Sequence, residues 1–173
     1  MKIFAETERL ILRELTPTDD KGMFELDSDP EVHRYLGNKP VTSIEQSRQE
    51  IAFIRTQYAE NGIGRWAVIE KTSGNFVGWS GLKLNKKEVN KHSSFYDIGY
   101  RLIKKYWGKG YATESAMAAL NYGFNELKLK EIYGMADINN TGSNRILTKL
   151  GLTFIEPFDY NGILHNWYKI SLT

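Results

Sequence analysis

"YWGKGYATE", residues 106–114, sets two glycines one residue apart where an extended run gives way to a long helical pattern. The first turn of a helix leaves its backbone N–H groups without intrahelical acceptors and carries the positive end of the helix dipole. Glycines ahead of such a turn let an anion approach the backbone without meeting a Cβ. The stretch therefore reads as a seat for a phosphate or pyrophosphate. Taken alone it serves equally well as a structural strand-to-helix turn, and its neighbours have to decide.

Upstream, "RWAVIEK", "FVGWSGLKL" and "SFYDIGYRLI" are β-rich runs separated by the turn "TSGN" and the polar loop "NKKEVNKHS", which together predict an antiparallel meander. Downstream, "YATESAMAALNYGFNEL" has helical spacing, "EIYGMADI" reads as a strand, and "GSNRILTKLG" as a short helix closed by Gly151. Strand, helix, strand, helix implies a right-handed crossover and hence an α/β (α+β) sheet of mixed direction. "LTFIE" and "HNWYKISL" complete it. Before the meander, "RLILREL" is the first strand candidate, and the rest of the amino-terminal third is helical. Thr16, Pro17 and Asp19 signal one helix start, Asp29 and Pro30 a second short helix, and Ser43 with Gln46 a third helix ending at Gly62.

Two nucleotide motifs are excluded. No GxxxxGK[ST] loop is present, and Thr113 stands where the dinucleotide fingerprint GxGxxG needs its third glycine. The 173 residues predict one soluble domain spanning residues 1–173, and their net charge of +2 with scattered lysines gives no basic stripe for nucleic acid. Cysteine is absent, which removes thiolate metal sites and cysteine nucleophiles. His33, read as a helix-surface residue, His92 in a polar loop, and His165 are too isolated to predict a metal site. With no membrane-length apolar run and no signal-peptide start, the expected location is the cytoplasm.

Four segments, "ETERLILRELTPTDD", "DPEVHRYLG", "DIGYRLIKKYWGKGYATE" and "NNTGSNRILTKLGLTFI", occur in the order and spacing of the GNAT superfamily of acetyltransferases. The chain resembles most the Rim-type protein N-terminal acetyltransferases, from about Glu6 to Ile155. The resemblance implies a twisted, mostly antiparallel sheet flanked by helices, with acetyl-coenzyme A held where two central strands splay apart. It places the pyrophosphate loop on Lys105, Tyr106, Trp107, Gly108, Lys109, Gly110, Tyr111 and Ala112, with Lys105 where the family usually has Gln or Arg. The preceding strand end, Tyr100, Arg101, Leu102 and Ile103, would pair with the pantetheine arm as an added strand would. Asn140 matches the family asparagine that holds the pantetheine, and the position of the family's tyrosine acid is occupied by Leu147. In the Rim-type subgroup a serine at the place of Ser143 is the suspected acid; a capping role for Asn140 or Ser143 is the alternative.

The implied reaction is direct attack of an amine on the thioester. Asp97, in "YDIGY", matches an acidic position near the splay and is the candidate base, acting through water; pairing with a nearby cation is its other reading. Glu114 reads as a complement to the helix dipole. Tyr35, Trp66, Trp79 and Trp167 are core candidates, with Tyr35, Trp79 and His165 the residues assigned to the acceptor. The acceptor is a protein N-terminus or a small amine. A non-catalytic acyl-coenzyme A binding module stays open as the alternative, as does a homodimer.

Overall fold

Residues 1–173 are described by a computed structural model. Its amino-terminal helices start where their caps demand. A 3₁₀ turn at Pro17–Asp19 leads into α1 (Asp20–Asp27), and Asp19 accepts the Thr16 backbone N–H at 2.8 Å. In α2 (Ile44–Asn61), Gln46 reaches back to the Ser43 N–H at 3.1 Å, and Gly62 closes the helix. Each satisfies one backbone donor that a helix start otherwise leaves free.

The segment from Asp29 departs from expectation. Residues 30–37 form consecutive turns rather than a helix, and His33 is buried, not on a helix surface. Its Nε2 lies 3.1 Å from the buried Asp27 Oδ1. Satisfying that carboxylate fixes the path of the turns, a long-range demand that the Asp-Pro cap signal does not encode.

Eight strands form one sheet: β1 (Ile3–Glu6), β2 (Leu10–Arg13), β3 (Trp66–Glu70), β4 (Phe76–Asn85), β5 (Phe95–Leu102), β6 (Glu131–Asp137), β7 (Thr153–Tyr160) and β8 (Ile163–Ser171), in the order β1-β2-β3-β4-β5-β6-β8-β7. All neighbours are antiparallel except β5 and β6, joined by the crossover helix α3 (Tyr111–Asn125). A last helix, α4 (Thr141–Lys149), follows β6. The mixed α/β architecture thus agrees with the sequence expectation, which lacked only β1.

Alternation along the strands divides the sheet into two faces. Leu82 and Ile132 pack under α3 near Gly123, and Ile98 and Gly134 meet Leu147 of α4. The opposite face presents Trp79, Lys83, Asp97 and Arg101, with α1 reaching it through Asp27. Trp66 and Trp167 are core residues, Trp66 stacked on Phe4 at 4.9 Å and Trp167 among Phe95, Tyr133 and Phe158. His92 is no free loop residue: its ring packs against Tyr133 and Trp167 at 5.1 and 5.2 Å.

Candidate active site

Three adjoining structures build the site, beginning with the glycine turn. After a short 3₁₀ turn at Lys104–Tyr106, Gly108 and Gly110 adopt φ of 75° and 80°, left-handed values that side chains with a Cβ resist. Gly110 is the residue from which α3 starts. None of the backbone N–H groups of residues 108–113 donates to an acceptor within the protein, the first backbone bond of the helix being Glu114 N–H to Gly110 O at 3.0 Å. A Cβ at Gly108 would meet open space. Six consecutive free donors around a bare backbone suit the diphosphate of a nucleotide cofactor.

Side chains from the far end of the sheet brace this turn. Arg9 donates from Nη1 to the Lys109 carbonyl at 2.9 Å and from Nε to Glu114 Oε2 at 2.7 Å, while its guanidinium lies 4.5 Å from the Tyr111 ring centroid. Glu114 Oε1 accepts from Thr7 Oγ at 2.6 Å and from the Arg9 N–H at 3.1 Å, and Tyr111 OH donates to Glu70 at 2.5 Å. Glu114 is therefore a tie between loop and sheet as well as a first-turn acid. Partial burial opposes its charge, but the hydrogen bonds from Thr7 and Arg9 outweigh it and hold the carboxyl below the ordinary glutamate range. A depressed folded-state value means that the tie is present above the unfolded-state pKa and lost as pH falls through the folded one. Arg9→Ala is expected to weaken acetyl-coenzyme A binding by several-fold, about the effect of one exposed charge-assisted contact, with little change in thermal midpoint. Calorimetric titration checks this, and unchanged affinity would show that the turn holds its shape without the brace.

Not every predicted loop residue faces the turn. Lys105 pairs with Glu25 at 3.0 Å, and Tyr106 is buried. Trp107 turns its indole N–H back onto the Leu102 carbonyl at 2.9 Å and leaves its ring 46% exposed. Lys109 makes no ion pair and holds its Nζ 5.5 Å above the Tyr106 ring.

The second structure is the gap between β5 and β6. The two strands pair at Asp97 and Tyr133 alone, so from Ile98 to Leu102 the β6-facing edge of β5 has no ladder partner. Ile103 donates its N–H to Val77 on the other side. A backbone edge next to free helix-end amides can take an extended, amide-bearing arm as a further strand. Beyond the gap, Asn140 caps α4 by accepting the Ser143 N–H at 3.1 Å. Ser143 is not the cap; its Oγ lies 3.0 Å from the Tyr100 hydroxyl, which also donates to the Ser143 carbonyl at 3.1 Å. Burial pushes the Tyr100 phenol above the ordinary tyrosine range, so it stays protonated. Leu147 is buried core.

The third structure is the polar network on the opposite sheet face. Asp97 Oδ1 accepts from Arg65 Nη2 and from Asn85 Nδ2, each at 3.1 Å, while Oδ2 has no protein partner. Arg65, 8% exposed, also donates to the carbonyls of Gly81 and Asp97 at 2.5 and 2.9 Å. Trp79 lies between two guanidinium groups, Arg65 at 5.3 Å and Arg101 at 5.0 Å from its ring centroid. Arg101 in turn pairs with Asp27 at 2.7 Å. So Trp79, Asp97 and the side chain of Arg101 come together. Tyr35 is on the turns beyond His33, with Arg34 over its ring, and no bond ties it to Trp79. His165 is set apart as well: it is buried in the β7–β8 hairpin between Phe158 and Tyr160, its Nδ1 2.9 Å from the Ile163 carbonyl.

A sheet splayed between parallel neighbours, opening onto a glycine turn at a helix start, suits a phosphate-bearing ligand with an extended, amide-bearing arm. The family of such proteins is identified by the chain itself: residues 9–153 match the acetyltransferase (GNAT) domain model, and the chain belongs to that family. It is an acetyl-coenzyme A-dependent acetyltransferase. Among its relatives, an uncharacterized N-acetyltransferase p20 of Bacillus licheniformis is 31% identical over 163 residues, 94% of this chain and 86% of that protein. The FsC-acetyl coenzyme A-N(2)-transacetylase of Aspergillus fumigatus is 32% identical over 156 residues, 88% of this chain and 66% of that protein. The Rim-type likeness is one of fold: the RimL ribosomal L7/L12 α-N-protein acetyltransferase, solved with coenzyme A, superposes with a TM-score of 0.81 over 99% of this chain and 98% of its own, at 19% identity.

Proposed function

We propose that the chain acetylates a primary amine by direct attack on acetyl-coenzyme A, with the donor-rich turn at Gly108–Thr113 as the diphosphate seat and the free edge of β5 as the track of the pantetheine arm. The six unpaired amides beside the β5–β6 gap carry this reading. The cofactor supplies an activated thioester carbonyl. The remaining work falls to this chain's residues. Asp97 stands at the last paired position before the strands part, and its unpartnered Oδ2 accepts the amine proton, directly or through water. Arg65 and Asn85 hold the other oxygen and orient it. Ser143 Oγ, backed by the Tyr100 hydroxyl, offers a proton toward the departing sulfur in place of the tyrosine that Leu147 replaces. Asn140, its Oδ1 used in capping, keeps its Nδ2 donors for the pantetheine.

The acceptor in this proposal is a small amine or a protein N-terminus; an N(2) amine in one relative's name and an α-N-protein amine in one fold neighbour's support an α-amine. We place the reaction in the cytoplasm, where cofactor and amine are dissolved; no helix of the chain is long and apolar enough to cross a membrane. Residues 1–173 act as one domain.

Thiol release from acetyl-coenzyme A over a panel of amines and N-terminal peptides tests the proposal. Release with at least one acceptor class is expected, whereas cofactor binding without release across the panel would identify a binding module. Asp97→Asn should lower kcat by about a hundredfold and change its pH profile, leaving acetyl-coenzyme A affinity as it was. An unaltered rate removes Asp97 from the chemistry.

A further inference from the structure

Lys83 of β4 stands directly across the ladder from Asp97 of β5. Opposite charges at such positions ordinarily pair. Here no ion pair forms: Arg65 and Asn85 hold Asp97 Oδ1, and Oδ2 is left without a protein partner. Lys83 Nζ has no ion-pair partner, though the side chain is half-buried and its face also holds Arg65 and Arg101. Arg101 uses Nη1 on Asp27, and its buried Nε has no acceptor at all. Three cations therefore share this face with two carboxylates already committed to guanidinium partners. Burial, then the adjacent Arg65 charge, hold the Lys83 ammonium below the ordinary lysine range, against the opposing pull of Asp97 and Glu50.

One further carboxylate completes the picture. Glu50 of α2 is open to solvent yet crowded by protein on the cleft side; that crowding pushes its pKa up, while Arg101 and Lys83 pull the other way and Asp27 adds to the rise. Like Lys83, it has no direct partner. The acceptor side of the site thus offers one half-buried, unpaired cation next to Asp97, whose Oδ2 is open. A simple polyamine would leave Lys83 without an anionic partner.

We propose that the acceptor is an amine that carries its own carboxylate, as an amino acid does, with Lys83 receiving the carboxylate while Asp97 Oδ2 faces the ammonium. This rests on the acetyltransferase reading above and narrows its acceptor. The arrangement discriminates because an amine without the carboxylate leaves Lys83 half-buried and unpaired in the complex. Two groups opposite one another on neighbouring strands then read the two charges of one small molecule.

Matched pairs test it without any variant: lysine against cadaverine, phenylalanine against phenethylamine, and leucine against isoamylamine, with the amino-acid amides as a third arm. For at least one pair kcat/KM is expected to favour the amino acid by about tenfold or more, the worth of one charge-assisted contact. In Lys83→Met the preference should shrink toward unity, in Lys83→Arg much of it should return, and acetyl-coenzyme A titration verifies that each variant is folded. The inference is overturned if the decarboxylated amines or the amides match the amino acids in the wild type, or if the preference survives in Lys83→Met. Absence of thiol release with every amine would instead overturn the acetyltransferase reading, and this inference with it.

Discussion

Valine at position 108 is expected to reduce acetyl-coenzyme A affinity by on the order of a hundredfold or more while leaving the chain folded. The two halves of that result have separate causes. Gly108 adopts φ of 75° and a Cβ there would meet no protein atom, so the fold pays only for a left-handed residue. That strain is about 1–2 kcal/mol, somewhat more for a β-branched side chain, within the usual stability of a domain. The binding loss comes from the opposite side of the same geometry. The added side chain projects from the turn whose N–H groups have no acceptor in the protein, and relaxation of φ toward negative values turns those donors away from a common point. Valine at Gly110 should act the same way and in addition press on Arg9, because a Cβ there would stand 3.4 Å from its Nη2. Calorimetric titration, with circular dichroism to verify folding, gives the answer; wild-type affinity in the Gly108 variant would mean that the glycines serve the backbone alone.

Arg65→Met should be strongly destabilising, by about 3–5 kcal/mol, because it removes the guanidinium partner of a buried carboxylate. Arg65 is 8% exposed and Asp97 5%, and Asn85 is then the one remaining donor to Asp97 Oδ1. The same change removes the donors to the Gly81 and Asp97 carbonyls and the guanidinium over Trp79. In a protein of this size the thermal midpoint would fall by roughly 10 °C. Combining it with Asp97→Asn should recover part of the loss, since the stranded charge is then gone, and a double-mutant cycle measures how much. A loss within about 1 kcal/mol in Arg65→Met would show that the ion pair is incidental.

What the sequence made legible follows the range of the interactions. Capping at Thr16 and Ser43, the stop at Gly62 and the glycine turn are set by residues a few positions apart, and each is found as read. The β-rich runs of β3, β4 and β5, set off by turn residues, likewise mark themselves as strands. The site's wiring is different. Arg9 and Glu114 are 105 residues apart, and Arg65 and Asp97 are 32, so no local pattern marks either pair. The glycine turn could be located in the sequence, but its brace could not. β1 escaped notice because it is four residues long and its pairing with β2 is broken by a bulge. His33 is buried rather than on a helix surface because its environment depends on Asp27, and the cover of His165 by Phe158 comes from a neighbouring strand that no local pattern names. Ser143 and Tyr100 are 43 residues apart and meet only because α4 folds back beside the gap.

The free amides of the glycine turn and the free edge of β5 together form the coenzyme A site proposed above. Backbone amide NMR on the wild-type chain, titrated with coenzyme A, locates that site residue by residue. The largest shifts are expected on residues 108–113, with a second set along Ile98–Leu102, and the amides of the β7–β8 hairpin tip are expected to stay unchanged. Saturable binding whose shifts cluster elsewhere, or no saturable shifts at all, would contradict it.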